Sequence, residues 1–134
     1  FCERKNMISS KAYCSGSLRS LHFLVCDGTC EMDDFLEELR REKASEFRKL
    51  LNLFQFFCNS EIRNDEKLKH VQEGLFELKS YQIRIFFFYH VGIRNVVVCA
   101  HGIEKKKDKV PQTEIDKALR KKRDFEEAHK GGKK

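Results

Sequence analysis

The chain has no tryptophan, only one proline and no apolar run long enough for a transmembrane helix. Its most apolar stretch, around residues 85–88, is broken within a few residues, whereas a membrane-spanning helix needs about 20 consecutive apolar residues. The six cysteines contain no C-x-x-C pair, the spacing typical of structural zinc knuckles. These absences exclude a transmembrane helix and weaken the case for a zinc module.

The cysteines have two remaining interpretations. Cys26 and Cys30, with His22 nearby, could be bent into a partial zinc site, but a structural zinc ion takes four ligands. Cys58 and Cys99 lie in apolar runs and are predicted to be reduced core thiols. We therefore predict no metal and no cofactor.

The length of 134 residues suits one domain with a real core. The polar start, FCERKNMISSKAYC, has no apolar signal core, so cytoplasmic residence is the expectation. Residues 1–20 are predicted to be a flexible leader or extension, because they are rich in Ser, Lys and Gly. Residues 21–127 are predicted to form the domain, and residues 128–134 a basic disordered tail.

Hydrophobic spacing predicts a strand and two helices in the first half of the chain. Residues 21–25 form a short apolar run closed by a turn at residues 27–29, which indicates a strand. The acidic segment that follows has apolar residues at helical spacing, and Asp33 and Asp34 favour its first turn. Over residues 47–58 a phenylalanine-rich stripe repeats every three to four residues, which predicts a helix lying on the sheet.

Three more strand-like segments follow, at residues 74–79, at 81–90 and from residue 94 onward. The short connection at residues 91–93 predicts that the last two are antiparallel neighbours. Pro111 suits the first turn of a basic last helix. The predicted fold class is α+β: a small, mostly antiparallel twisted sheet covered by an N-terminal helix pair, with a C-terminal basic helix.

Positive charge is concentrated in the second half of the chain. Residues 79–124 hold twelve Lys or Arg against five Asp or Glu, whereas residues 31–45 hold six acidic residues against three basic ones. Such asymmetry favours a surface that faces a polyanion such as nucleic acid. Arg84 also lies inside an otherwise apolar strand, where a charge must find a partner, project from an open face or serve chemistry.

The order of motifs resembles the RelE/ParE toxin superfamily, and within it the HigB branch with its phage-derived relatives. The resemblance covers roughly residues 20–127 and implies a RelE/ParE-like fold. Its most specific part lies between residues 69 and 119. The matching positions are Lys69-His70, Gly74-Leu75, Glu77-Leu78, Arg84, His101-Gly102, Lys105-Lys106, Pro111, Glu114-Ile115 and Ala118.

That resemblance implies a type II toxin that cleaves messenger RNA on the ribosome and forms a hetero-oligomer with a helix-turn-helix, HigA-like antitoxin. The implied reaction is attack by a ribose 2′-hydroxyl on the adjacent phosphate, which needs a base, positive charge on the phosphate and an acid for the leaving oxygen. Arg84 is expected to stabilise the phosphate, one of Lys105 and Lys106 to steady the leaving oxygen, and Lys69 to act as base. Lys79 completes the expected catalytic set. The expected RNA-binding residues are Lys106, Lys107, Lys109, His101 and His70.

Two departures from the family pattern bear on activity. Lys79 stands where the family usually has Arg, and Glu104 replaces an apolar residue and is expected to place a negative charge beside the site. Two alternatives therefore stay open. One is a ParE-like poison of DNA gyrase, and the other is a basic RNA-binding or partner-binding module without catalysis. Convergence of Lys69, Lys79, Arg84 and Lys105 on one face of the sheet favours the ribonuclease.

Overall fold

The computed structural model describes residues 7–106 and 109–130 of the chain. These residues form six strands and three helices, which we number in chain order. The strands are β1 (Ile8–Ser15), β2 (Ser20–Cys26), β3 (Leu68–Gln72), β4 (Leu75–Ser80), β5 (Ile83–Tyr89) and β6 (Val96–Glu104). The helices are α1 (Glu31–Glu42), α2 (Ala44–Asn59) and α3 (Gln112–Lys130).

All six strands belong to one sheet, in the order β1-β2-β6-β5-β4-β3. Consecutive strands joined by short turns pair antiparallel, as hairpin connections require, and this confirms the predicted antiparallel pairing of β5 with β6. In contrast, β2 and β6 pair in parallel. The α+β class is therefore confirmed, and the sheet is mixed.

The central strands are buried on both faces, because helices cover each side of the sheet. The core between the sheet and the pair α1 and α2 contains the predicted stripe of α2, including Leu50, Phe54 and Phe57. The opposite core lies between the sheet and α3, where Phe86 and Phe88 of β5 meet Phe125. The expectation of a sheet covered by the N-terminal helix pair is thus incomplete, since the last helix covers the second face.

The N-terminal segment is more ordered than the sequence predicted. Residues 8–15 form the edge strand β1, which pairs with β2 over its whole length. The flexible-leader prediction is therefore wrong for those residues, and residues 1–6 lie outside the described part. At the other end, α3 continues to Lys130, so the start of the predicted tail is helical, while residues 131–134 lie outside the described part.

None of the helices in the described part of the chain combines the length and apolar character needed to span a membrane.

Candidate functional site

A cleft of about 350 Å³ opens on the α3 side of the sheet, between strands β3 to β5 and the segment that leads into α3. We call it the basic cleft, because five of its ten lining residues are Lys or Arg and one is acidic. It is lined by Lys69, Val71, Glu77, Lys79, Arg84, Lys105, Lys109, Val110, Gln112 and Ile115. All four residues of the predicted catalytic set are among them.

Strand register explains why residues so far apart in sequence meet there. Lys69 of β3 is the cross-strand partner of Glu77 on β4, and Lys79 of β4 is the partner of Arg84 on β5. Side chains two apart on a strand share a face, so Glu77 and Lys79 point to the same side. Lys105 follows the end of β6, and its backbone N–H donates to the carbonyl of Gln82 at 2.6 Å. The sheet therefore gathers the four cations on one face.

Arg84 is only 9% exposed and is held by the backbone around it. Its Nη1 donates to the carbonyl oxygen of Tyr81 at 2.6 Å and to that of Ile83 at 3.1 Å. Carbonyl oxygens satisfy part of the guanidinium without neutralising its charge. Arg84 thus has a fixed orientation and presents its positive charge to the basic cleft.

Glu77 is a cleft residue that the sequence analysis did not select. Its side chain is 6% exposed, and its Oε1 atom has no hydrogen-bond partner within the described residues. A buried carboxylate oxygen without a partner is costly and therefore uncommon outside functional sites. The signal was present in the sequence, since Glu77 is a charge inside an apolar strand just as Arg84 is.

The cleft and its strands lie inside a region with recognisable relatives. A family model for phage-derived Gp49-like proteins (DUF891) matches residues 34–123, which include every residue that lines the basic cleft. The chain belongs to the Gp49-like family. This family is associated with RelE-like toxins of toxin–antitoxin systems. No curated protein matches the chain.

In this Gp49-like protein His101 lies beneath the start of α3 and not in the basic cleft. Its side chain is buried, and its Nε2 lies 3.0 Å from Oε1 of Glu114 on α3. Burial, followed by the positive charges of Lys121 and Lys117, lowers the pKa of His101 from 6.5 to about 4. The imidazole is therefore neutral near pH 7, and its Nε2–H donates to the carboxylate. His101 therefore contacts the first turns of α3 through Glu114 and does not line the basic cleft.

Two ion pairs join α3 to Glu31, the first residue of α1. Oε1 and Oε2 of Glu31 lie 3.0 Å from the ammonium groups of Lys117 and Lys121, respectively. Burial alone would raise the pKa of Glu31, but hydrogen bonds from these two lysines outweigh it and lower the pKa. The pairing fixes α3 beside the cleft, and it leaves the positive charges of the cleft itself unengaged by Glu31.

The remaining predicted RNA-binding residues fall in different places. Lys109 lines the basic cleft, whereas Lys106 lines a separate depression between α1 and the end of β6. His70 is exposed on β3, where its ring packs edge-on against Phe76 and its Nε2 accepts from the N–H of Gly74 at 3.3 Å. Lys107 lies outside the described residues. Of the described residues in this set, Lys109 alone adds to the cleft.

Glu104 does not place its charge in the basic cleft. It is the last residue of β6 and forms an ion pair with Lys43, at the start of α2. Its carboxylate therefore points to the α1 and α2 side of the sheet, because neighbouring strand residues alternate between faces. Glu104 lines the same depression as Lys106 and is not among the residues that line the basic cleft.

Within residues 7–106 and 109–130, no group of three or more His, Cys, Asp or Glu side chains is arranged to hold a metal ion.

Proposed function

We propose that this protein is a HigB-like toxin of a type II toxin–antitoxin system that cleaves messenger RNA on the ribosome. The observation that carries the proposal is the convergence of Lys69, Lys79, Arg84 and Lys105 in one cleft around the buried Glu77. Membership of a family associated with RelE-like toxins supports the same biological role. A phosphate diester is the ligand that such a cleft suits, because Arg and Lys both bind phosphate oxygens.

The proposed reaction is attack by a ribose 2′-oxygen on the adjacent phosphorus, with departure of the 5′-oxygen. A base removes the proton of the 2′-hydroxyl, and an acid returns one to the leaving oxygen. The products are a 2′,3′-cyclic phosphate and a 5′-hydroxyl end. Arg84 stabilises the negative charge that develops on the phosphate oxygens. Lys105 lies near the leaving oxygen in this proposal, and Lys79 adds charge beside Arg84.

Two residues compete for the role of base. Lys69 is the base that the family resemblance implies. Glu77 is a carboxylate, a group that serves as a general base in enzymes. Glu77 lines the cleft, and its Oε1 has no hydrogen-bond partner within the described residues, so we assign the base to Glu77 and a phosphate contact to its cross-strand partner Lys69.

The partners in this proposal are the ribosome with its messenger RNA and a helix-turn-helix, HigA-like antitoxin. Cleavage of translated RNA places the protein in the cytoplasm. An antitoxin can neutralise the toxin by covering the basic cleft or by displacing α3, since α3 forms one wall through Gln112 and Ile115. A complex in which the antitoxin contacts only the acidic helix α1 would argue against direct occlusion.

The test is to express the chain under tight control and map the 5′ ends of messenger RNA in the cells. The comparison uses Arg84→Ala and Arg84→Lys, because the second variant keeps the charge and loses the planar fork. Arg41→Ala is the matched control, since Arg41 is an exposed arginine on α1 that pairs only weakly with Glu37, at 3.9 Å.

Cuts within translated codons that disappear in Arg84→Ala and persist in Arg41→Ala support the ribonuclease. Growth arrest without such cuts would redirect the assignment to a ParE-like poison of gyrase. If neither growth arrest nor RNA cleavage is observed, the protein is a basic binding module without catalysis. Thermal unfolding of each variant establishes that a loss of activity is not a loss of fold.

A further inference from the structure

A second and larger concavity, of about 650 Å³, lies on the other face of the sheet. It is bounded by α2, by the connection between α2 and β3, and by the turn between β4 and β5. We call it the aromatic groove, because Phe56 and Tyr81 line it together with Leu53 and Ile62. Its size falls within the range of small-molecule and nucleotide sites.

The two aromatic side chains are unusually open to solvent. Phe56 is 53% exposed and Tyr81 is 63% exposed. Tyr81 also has a φ of 58°, a left-handed conformation that is rare for an aromatic residue and costs of the order of 1–3 kcal/mol. Tyr81 is the first of the two residues between β4 and β5, where a tight hairpin turn requires a positive φ, and the turn leaves its ring exposed at the groove.

The groove is joined to the basic cleft through one side chain. Nη1 of Arg84, which lines the cleft, donates to the carbonyl oxygen of Tyr81 at 2.6 Å, and Tyr81 lines the groove. The N–H of Lys79 in the cleft likewise donates to the carbonyl of Lys67 in the groove at 2.8 Å. A ligand strand that leaves the cleft over the β4–β5 turn therefore arrives at Tyr81.

The rim of the groove is positively charged. Nζ of Lys49 lies over the Tyr81 ring, 4.5 Å from its centre, and Nζ of Lys67 lies over the same ring at 6.0 Å. Arg63 adds a third cation, while the carboxylate of Glu61 is already paired with Arg19 at 3.4 Å. The groove thus favours an anionic ligand.

The polar groups inside the groove can contact the edge of a nucleobase. Asn52 is exposed on α2, and its side-chain amide makes no hydrogen bond within the described residues. An unengaged amide offers both a donor and an acceptor to the edge of a base. Aromatic rings that stack bases, together with lysines that follow the backbone, are the usual means of binding single-stranded RNA.

We propose that the aromatic groove binds an unpaired RNA base that flanks the phosphate held in the basic cleft. The base stacks on Phe56, or takes the place of the lysine ammonium groups on the Tyr81 ring, and Asn52 contacts its edge. Lys49 and Lys67 then contact the neighbouring phosphates. This inference rests on the proposed function for the phosphate in the cleft. It adds a determinant of which nucleotides beside the cut are preferred.

The test measures binding of a fluorescein-labelled, single-stranded 2′-O-methyl oligoribonucleotide by anisotropy. This probe has no 2′-hydroxyl to react, so affinity is measured without cleavage. We expect Tyr81→Ala to weaken binding by about five- to a hundred-fold, the effect of losing one stacked base, and Tyr81→Phe to keep most of the affinity. Tyr89→Ala is the matched control, because Tyr89 is another exposed tyrosine, on β5 and away from the groove.

A second measurement does not depend on whether Tyr81→Ala folds. RNA that carries 4-thiouridine is illuminated on the wild-type protein, and the crosslinked peptides are identified by mass spectrometry. Crosslinks to Tyr81 or Phe56 support the inference, whereas crosslinks confined to the basic cleft overturn it.

The outcomes separate the two proposals. Reduced affinity in Tyr81→Ala without any RNA cleavage by the wild type would support the groove and overturn the ribonuclease. Cleavage by the wild type with unchanged affinity in both Tyr81→Ala and Phe56→Ala would overturn the groove as an RNA site. In that second case the groove would instead bind an acidic peptide of a protein partner.

Discussion

Lys79 and Arg84 are direct cross-strand partners on β4 and β5, and both line the basic cleft. Like charges placed opposite each other in an antiparallel pair are destabilising, by roughly 0.2–1 kcal/mol. An anion bound between the two cations would turn the repulsion into attraction, so the pair favours phosphate at this position.

Without any added ligand, Lys79→Gln should therefore be more stable than the wild type. Its stabilisation by added phosphate should be smaller. In a low-salt buffer we expect the variant to gain a few tenths of a kcal/mol in free energy of unfolding. Added inorganic phosphate should raise the Tm of the wild type, because a ligand that binds only the folded state stabilises it, and should raise that of the variant less. Thermal unfolding with and without phosphate measures both effects.

Arg41→Gln is the control for that experiment, because it removes one positive charge from the exposed surface of α1. Its phosphate response should match that of the wild type. An undiminished response in Lys79→Gln would mean that phosphate does not bind at the cleft pair.

Replacing the proposed base, Glu77, should reduce activity without reducing stability. Glu77→Gln preserves shape and removes the proton acceptor, so we expect a loss of RNA cleavage of about 10²–10⁴-fold. Its free energy of unfolding should stay equal or rise, because Oε1 of Glu77 has no partner to lose within the described residues. Single-turnover cleavage and urea unfolding are the two measurements.

Lys69→Met is the companion variant, since Lys69 is the cross-strand partner of Glu77. We expect it to weaken RNA binding and to leave a measurable cleavage rate. Full activity in Glu77→Gln together with complete loss in Lys69→Met would return the role of base to the lysine.

The parts of the fold that sequence predicted are those with strong apolar patterns. The run that forms β5 is buried along almost its whole length, and the stripe of α2 faces the core as its spacing indicates. Edge strands were missed for a physical reason. β1 (ISSKAYCS) is mostly exposed and polar, because one of its edges and much of its surface face solvent. β3 has only five residues and two exposed positions.

The candidate site was predicted unevenly for a related reason. Basic residues such as Arg84 and Lys105 stand out by charge and by family position. Glu77 also matches the family pattern, but the resemblance gives it no role in the reaction. Its burial depends on the pairing of β4 with both β3 and β5, which is a long-range property. The parallel pairing of β2 with β6 is equally non-local and has no signal in either strand alone.

His101 should make the stability of the protein depend on pH in the acid range. Its pKa is about 4 in the folded state against 6.5 for an ordinary histidine, because burial and two lysines disfavour the charged ring. The unfolded chain therefore takes up the proton first as the pH falls. The contribution of His101 to the free energy of unfolding should be constant above about pH 6.5. Between about pH 6.5 and pH 4 it should decrease by about 1 kcal/mol for each pH unit.

The measurement is urea unfolding of the wild type and of His101→Gln between pH 7 and pH 4. The variant should be less stable at pH 7, since its amide does not reproduce the contact with Glu114. It should also have a flatter dependence on pH over this interval. Parallel curves for the two proteins would assign the acid sensitivity to carboxylates and contradict the prediction.

Cys14 on β1 and Cys58 on α2 provide a test of the N-terminal strand. Their sulfur atoms lie 3.8 Å apart, which is possible only if β1 lies on the sheet beside α2. Diamide should therefore link them, oxidising two thiols to one disulfide. Burial raises the pKa of Cys14 to about 12, so the reaction should be slow at pH 7 and faster at pH 9.

Peptide mapping of the oxidised protein identifies the linked cysteines, and Cys14→Ser is the control that should lose the product. The alternative is a flexible segment at residues 8–15, in which Cys14 would be exposed. An exposed thiol would react with iodoacetamide at the rate of a free cysteine and would show no preference for Cys58. Rapid alkylation of Cys14 in the folded protein, without a disulfide to Cys58, would therefore show that residues 8–15 do not pair with the sheet. They would then form the flexible leader that the sequence predicts.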